Sequence, residues 1–212
     1  MTFVAFAQQT TEYWDDAKTK KKAEGEFSDG LKQGKWIEWY ENGQKKSEGE
    51  YNIGDKTGKW TTWYEDGKTE SKVEYVDNQI EGPYYYQYNN GQKKEEGEIK
   101  DGVPEGEYTS YYDNGKRKMQ GLYVDGEKDG LWIEWYENGN KKTAINYKNG
   151  VENGAYTTGF ENGRKSCDGE YVDGQKHGKF TYYNEDGERI KVESYRYDEL
   201  KSTREYKPKK KK

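Results

Sequence analysis

The sequence predicts an all-β fold, an elongated single-sheet array of stacked antiparallel β-hairpins. A turn dipeptide, Asn-Gly or Asp-Gly, recurs every 24 residues, and a second glycine keeps the same spacing. β-prone runs flank each dipeptide, while frequent glycines and the lack of a 3.6-residue apolar pattern disfavour helix. A constant period of this length indicates one supersecondary unit repeated along the chain, and it favours a scaffold or binding surface over a pocket enzyme. The dipeptides begin at Asn42, Asp66, Asn90, Asn114, Asn138, Asn162 and Asp186.

The repeat divides the chain into five segments. The first is a signal-peptide remnant or an N-terminal arm, and the second is a degenerate half-repeat. Seven hairpin repeats follow, then a C-terminal cap for which a short helix is one option, and finally a Lys-rich tail. In order, these segments span residues 1–12, 13–33, 34–195, 196–206 and 207–212.

The first hairpin repeat illustrates the expected register. A type I′ turn with Asn42 and Gly43 at its centre places Trp36 opposite Gly49. A ring opposite a glycine on one face is expected to lie over the bare backbone. The same pairing is predicted for Tyr84 with Gly97, Tyr108 with Gly121 and Tyr156 with Gly169, whereas Trp60 faces Val73, Trp132 faces Ile145 and Phe180 faces Glu193.

The connections between repeats carry their own glycines. Gly54 and Gly58 exemplify a Gly-x-x-x-Gly spacing that recurs along the chain. We expect these glycines to take positive φ values in tight turns.

Composition bounds the function. The chain is 36% charged and 29% apolar, a composition that resembles that of a disordered protein. However, its 7 Trp, 22 Tyr and 5 Phe recur at fixed repeat positions, so aromatic rings supply the buried area that aliphatic side chains supply in most folded proteins. The net charge is −5, and the five lysines of the tail leave 31 basic against 41 acidic residues elsewhere. An acidic body disfavours nucleic-acid binding. One Cys and one His exclude a Cys/His metal cluster, no cofactor is indicated, and no apolar run is long enough for a transmembrane helix.

At this level of detail the repeats resemble a known family. The run from Gly130 to Lys142 (GLWIEWYENGNKK) is similar to the bacterial MORN-variant repeat, and the run from Tyr171 to Gly178 (YVDGQKHG) resembles the end of MORN repeats. The resemblance implies an array of β-hairpins. Bacterial chains of this kind are often labelled YwqK-type antitoxin components, and eukaryotic arrays are linked to membrane tethering and protein scaffolding.

Several candidate sites have simpler explanations. The carboxylate pairs Glu48/Glu50 and Glu96/Glu98 fit alternation on a solvated strand better than an acid–base pair. The segment 125–130 fits turn chemistry better than a calcium loop. A basic column (Lys45, Lys93, Arg117, Lys141, Lys165, Arg189) is expected to pair across each hairpin with an acidic column (Glu41, Glu65, Asp113, Glu137, Glu161, Glu185) rather than to bind anionic lipid.

The strongest candidate site is a row of rings on the face opposite Trp36. If no second layer covers this face, its rings form a surface for a protein partner; the alternative is that the twisted sheet buries them. We call these residues the aromatic strip: Trp39, Trp63, Tyr111, Trp135 and Tyr183, interrupted by Gln87 and Gly159.

The sequence therefore predicts a non-enzymatic scaffold that binds a protein partner in a bacterial cell-envelope assembly. A cytoplasmic antitoxin, a membrane-surface tether and a glycan-binding module remain alternatives. Ala5-Phe6-Ala7 before Gln8 resembles a signal-peptidase site and favours export, although no basic region precedes it. The tail is interpreted as solvated, with a peripheral membrane contact as the alternative.

Overall fold

The computed structural model describes residues 8–207, which form eighteen β-strands and no helix. The predicted all-β class and hairpin array are confirmed. The chain divides into two compact units, Met1–Val103 and Pro104–Lys212. Residues 1–7, with the expected cleavage site, and residues 208–212 of the tail lie outside the described part.

The first unit contains nine strands, each antiparallel to the next, except that β8 returns to pair with β6 beside the short β7. Their bounds are β1 Gln8–Tyr13, β2 Lys21–Ser28, β3 Leu31–Trp39, β4 Lys45–Asn52, β5 Asp55–Trp63, β6 Thr69–Val76, β7 Gln79–Ile80, β8 Gly82–Gln87 and β9 Lys93–Lys100.

The second unit contains nine strands that pair in chain order, all antiparallel. Their bounds are β10 Val103–Tyr111, β11 Arg117–Val124, β12 Glu127–Trp135, β13 Lys141–Lys148, β14 Val151–Gly159, β15 Lys165–Val172, β16 Gln175–Tyr183, β17 Arg189–Arg196 and β18 Glu199–Glu205.

The Asn-Gly turns differ from the prediction. The Tyr40 N–H donates to the Gln44 carbonyl at 2.9 Å, and the Gly43 N–H donates to the Tyr40 carbonyl at 3.0 Å. Gly43 has a φ of 86°, whereas Asn42 is not among the residues with positive φ. The loop is therefore a three-residue connection, a type I turn followed by a left-handed glycine, and the predicted type I′ turn at Asn42-Gly43 is wrong.

The predicted strand register is nevertheless confirmed. Trp36 lies opposite Gly49, as expected, but at the loop Trp39 lies opposite Lys45. The extra loop residue is offset by a β-bulge at Lys46, so the body of the hairpin keeps the predicted pairs.

Two-residue turns with positive φ at both positions occur at the other end of the hairpins. Ile53 and Gly54 have φ values of 49° and 87° between the paired residues Asn52 and Asp55. The positive φ predicted for the connection glycines is thus confirmed.

The turn asparagines serve a different purpose from the one predicted. The Asn42 side-chain oxygen accepts the Gln44 N–H at 2.9 Å, and its amide nitrogen donates to the Glu65 carbonyl in the next turn at 2.7 Å. Asp66 lacks that donor, and Lys68 instead donates to the Asn89 carbonyl at 2.8 Å. Asparagine therefore links consecutive turns rather than supplying a left-handed backbone. The same amide link joins Asn114 to Glu137, Asn138 to Glu161 and Asn162 to Glu185.

The core lies on the face that carries Trp36. A Cβ on Gly25 would lie 2.3 Å from the Trp36 ring, and the indole N–H donates to the Glu26 carbonyl at 3.2 Å. The Trp36 ring therefore lies flat on strand β2, the strand before its own hairpin. The equivalent contacts are Trp60 on Gly49, Trp132 on Gly121 and Phe180 on Gly169.

This packing corrects one prediction. A ring was expected to cover the glycine opposite it in its own hairpin, and only the position of Tyr84 over Gly97 agrees among the contacts described for these glycines. Gly49, Gly121 and Gly169 are instead covered by the ring of the following repeat. Because the ring and the glycine belong to consecutive repeats, this contact holds one hairpin against the next.

A lysine on the ring's own strand covers the outer side of each of these rings. The Lys56 Nζ lies 4.3 Å from the centre of the Trp60 ring, and burial lowers its pKa. The Trp60 side chain is only 4% exposed as a result. Ring, glycine and lysine thus form a three-layer contact in a single sheet. The other lysine–ring pairs are Lys32–Trp36, Lys128–Trp132 and Lys176–Phe180.

Both ends of the array differ from expectation. The N-terminal half-repeat is part of a full hairpin, because β1 occupies residues assigned to an arm and pairs with β2. The C-terminal cap contains strand β18, not a helix, and pairs with β17. Glu193 occupies the position equivalent to Gly49. Its carboxylate accepts hydrogen bonds from Lys191 at 2.8 Å and from the Tyr195 hydroxyl at 2.9 Å.

Candidate partner-binding surface

The aromatic strip lies on the face opposite the core. Trp39 is the cross-strand neighbour of Lys45, and Lys45 contacts Glu48, which alternates with the core positions Ser47 and Gly49. All five rings of the strip are half-buried. The predicted placement on opposite faces of Trp36 and Trp39 is confirmed.

The loop-end row of this face alternates aromatic and basic side chains. Each strip residue faces the first residue of the next strand, and four of those five residues are Lys or Arg. The pairs are Trp39 with Lys45, Trp63 with Thr69, Tyr111 with Arg117, Trp135 with Lys141 and Tyr183 with Arg189.

The backbone of the strip is held by tyrosines of the preceding repeat. The Tyr40 hydroxyl donates to the Trp63 carbonyl at 2.8 Å, and the Tyr112 hydroxyl donates to the Trp135 carbonyl at 2.7 Å. Burial raises the pKa of both hydroxyls, which keeps them protonated as donors. The strip rings are therefore mounted on a fixed backbone.

A lysine also lies over the rings of Trp39, Trp63 and Tyr183. Lys21 lies 5.6 Å from the Trp39 ring centre, Lys45 lies 5.6 Å from that of Trp63, and Lys165 lies 5.9 Å from that of Tyr183. These lysines are fixed by carboxylates three residues later in the chain. The ion pairs are Lys21–Glu24 at 2.9 Å, Lys45–Glu48 at 2.5 Å and Lys165–Asp168 at 2.9 Å.

The predicted pairing of the basic and acidic columns across the hairpin is wrong. Lys45 bonds Glu48 on its own strand, while Glu41 lies 3.4 Å from Lys20 of the preceding repeat. Residues three apart on a regular strand point to opposite faces, but the bulge at Lys46 brings Lys45 and Glu48 to the same face.

The second unit departs from this pattern at three cations, Arg117, Lys141 and Arg189, and the Arg189 guanidinium instead lies 4.1 Å from the centre of the Tyr206 ring. Arg117 and Lys141 stand where Lys45 does, but the residues three positions later are Gln120 and Ala144. Among residues 8–207, neither cation's side chain makes an ion pair or a hydrogen bond, and no cation lies over the Trp135 ring between them. The arrangement therefore leaves two free positive charges beside a half-buried indole, in a protein of net charge −5.

The other candidate residues are placed without reactive geometry. Hydrogen bonds from Lys35 and Lys45 lower the pKa of Glu48, the opposite of what a proton donor near neutral pH requires. Burial raises the pKa of the Cys167 thiol to about 11. Asp125 and Gly126 form a two-residue turn with φ values of 50° and 81°, as the turn interpretation predicts. No cluster of three metal-ligating side chains occurs within the described residues.

The sequence predicts the aromatic strip as a candidate site, but it does not single out the free cations. Their signal is present in the sequence as Gln120 and Ala144, which replace a carboxylate at one repeat position. This signal can be interpreted only once the bulge at the Lys46 position is known, because regular strand alternation would place those two residues on the face opposite the cations.

Comparison with known protein families gives a match to four of the repeats. The sequence profile of the family described as MORN repeat variant matches residues 32–52, 56–77, 104–125 and 128–149. No curated protein matches the chain. None of residues 8–207 forms a helix long and apolar enough to cross a membrane. Four of the repeats are thus similar to the MORN repeat variant, in agreement with the resemblance read from the sequence.

Proposed function

We propose that this protein is a non-enzymatic repeat scaffold that binds a protein partner through the aromatic strip, in a bacterial cell-envelope assembly. One observation carries the proposal. Each unit is a single sheet whose core rings pack on one face, and the half-buried rings on the other face have no second layer over them within the described residues. Aromatic side chains such as Trp and Tyr are enriched among the residues that contribute most of the binding free energy at protein interfaces.

The repeat construction supports a scaffold. Consecutive hairpins are joined by ring–glycine contacts, asparagine links and tyrosine–carbonyl bonds, so the strip residues recur at a spacing set by the backbone. A surface of this kind recognises an extended partner through many similar contacts rather than through one pocket.

The test uses the full chain with Trp63→Ala and Trp135→Ala together. We expect the double variant to remain folded, by circular dichroism, and to lose recovery of the partner in a native pull-down followed by mass spectrometry. A matched control, Thr61→Ala with Thr157→Ala, changes half-buried residues of the same face and should keep the partner. Unchanged partner recovery by the tryptophan variant would rule out the strip.

The same experiment separates the alternatives. Recovery with an envelope protein, and a mature chain that begins near Gln8, would support the exported scaffold. Recovery from the cytosol with a toxin-like enzyme would favour an antitoxin. Salt-sensitive binding to anionic vesicles without a protein partner would favour a membrane tether.

A further inference from the structure

We infer that Tyr111, Arg117, Trp135 and Lys141 form a docking surface for an acidic, proline-containing segment of the partner in the polyproline II conformation. This inference rests on the proposed function and names the partner chemistry for one part of the aromatic strip. We call these four residues the free-cation patch.

Charge is the first reason. The Arg117 and Lys141 side chains make no ion pair or hydrogen bond within residues 8–207, whereas Lys45, Lys93 and Lys165 bond the carboxylates of Glu48, Glu96 and Asp168. A guanidinium and an ammonium beside an indole attract a carboxylate on the ligand. Screening limits this attraction to roughly 8–10 Å at physiological salt. The acidic body therefore favours a ligand with a few well-placed carboxylates over a polyanion such as nucleic acid.

The second reason is the stacking surface. The Trp135 ring is half-buried, and no cation of residues 8–207 lies over it, unlike the rings of Trp39, Trp63 and Tyr183. Its backbone is fixed by the Tyr112 hydroxyl at 2.7 Å. Proline rings pack on such aromatic side chains in known modes of peptide recognition.

The third reason is spacing. Tyr111 and Trp135 are two strands apart, as are Arg117 and Lys141, and two strand separations amount to about 9.6 Å. A polyproline II helix repeats each face after three residues, or about 9.3 Å. An extended β-strand repeats a face after about 6.6 Å, and an α-helix after two turns of about 10.8 Å. The polyproline II step agrees best, with one proline at each ring and one carboxylate at each cation.

The geometry therefore gives a sequence rule for the ligand. A proline at every third position meets Tyr111 and Trp135, and an Asp or Glu at every third position meets Arg117 and Lys141. The right-handed sheet twist of about 20–25° per strand limits the match to a few turns of peptide.

The decisive variants add charge without removing any patch residue. Gln120→Glu with Ala144→Glu places a carboxylate three residues after each free cation, as Glu48 is placed after Lys45. We expect the two added glutamates to form ion pairs with Arg117 and Lys141 and to weaken peptide binding about tenfold or more. Trp135→Ala should weaken binding by a similar factor. The matched control, Asn52→Glu with Gln79→Glu, adds two carboxylates at exposed residues of the first unit, outside the aromatic strip, and should leave binding unchanged.

The measurement is isothermal titration of the full chain with a peptide of repeated Pro-Glu-Ala triplets. Comparison probes are Pro-Gln-Ala triplets, Gly-Glu-Ala triplets, an Ala-rich helical peptide of equal charge, oligogalacturonate and anionic vesicles. Tighter binding of the Pro-Glu-Ala peptide than of every other probe, lost with Gln120→Glu/Ala144→Glu, supports the inference.

Four results would overturn it. These are no binding of the Pro-Glu-Ala peptide, equal binding of the neutral or glycine-containing peptide, tighter binding of the helical, glycan or vesicle probe, and binding that survives the two added glutamates. If the peptide fails while the tryptophan double variant still loses its partner, the proposed function stands and only the partner chemistry is wrong.

Discussion

Repeats with a glycine at the Gly49 position pack differently from repeats with an aliphatic residue there. After Gly49, the ring of Trp60 lies flat on the glycine, and Lys56 covers it. After Ile145, the residue at the Trp60 position is Tyr156, and Glu152 stands at the Lys56 position. Val73 is likewise followed by Ile80 and Tyr84. Glycine, lysine and a large ring are therefore one packing unit that spans two repeats, whereas Gly97, which is followed by Pro104 and Tyr108, lies under Tyr84 of its own hairpin.

The physical reason is the space above the strand. An indole fits against bare backbone, whereas a Val or Ile side chain fills that volume and displaces the ring. Tyr84 shows the consequence, because its hydroxyl end lies over Gly97 of its own hairpin. The same backbone repeat therefore accommodates two packing arrangements, one with a ring on a glycine of the preceding repeat and one with a ring displaced by an aliphatic side chain. Both arrangements keep the sheet a single layer.

The largest difference in unfolding free energy between the two packing arrangements is expected when the rings themselves are removed. Trp60→Ala removes a side chain that is 4% exposed and should lower the free energy of unfolding by about 3–5 kcal/mol. Tyr156→Ala removes a half-buried ring and should cost less. Denaturant unfolding of both variants measures the contrast. Equal losses would contradict the idea that the glycine-type contact is the stronger one.

A smaller effect is expected from exchanging one packing arrangement for the other. A valine at Gly49 would place its Cβ 2.2 Å from the Trp60 ring, so Gly49→Val should cost about 1–3 kcal/mol. Adding Trp60→Tyr creates the Val–Tyr combination already present at Val73 and Tyr84, and it should recover part of the loss. The double variant tests the coupling in a denaturation cycle, and simple addition of the two losses would disprove it.

The smallest effect is expected at the end of the array, where Glu193 replaces the glycine. Hydrogen bonds from Lys191, Tyr195 and Tyr182 lower the Glu193 pKa from 4.5 to about 2. A depressed folded-state pKa gives stability that is present above pH 4.5 and lost as the pH falls toward 2. Glu193→Gln should flatten this part of the stability profile. Glu199→Gln, at an exposed residue, is the control, and an unchanged profile in Glu193→Gln would exclude the role.

Most of the fold follows from local sequence signals. The constant spacing of Asn42-Gly43 and its equivalents fixes the hairpins, and two-residue alternation puts Trp36 and Trp39 on opposite faces. The turn type was mispredicted because Asn-Gly suits both a two-residue and a three-residue loop. Only the hydrogen bond from Asn42 to Glu65 shows why asparagine occurs there.

Part of the candidate site can likewise be predicted from the sequence, and part depends on tertiary contacts. The five rings of the aromatic strip can be read from the sequence, because their face is set by alternation within one hairpin. Which ring covers Gly49, and whether Lys45 or Arg117 keeps a free charge, depends on contacts between repeats and on bulges that change the side on which a residue lies. The sequence by itself thus determined the repeat, its register and its two faces. Tertiary structure decided which neighbours meet across repeats, because those contacts depend on where each ring and cation finds space on the next strand.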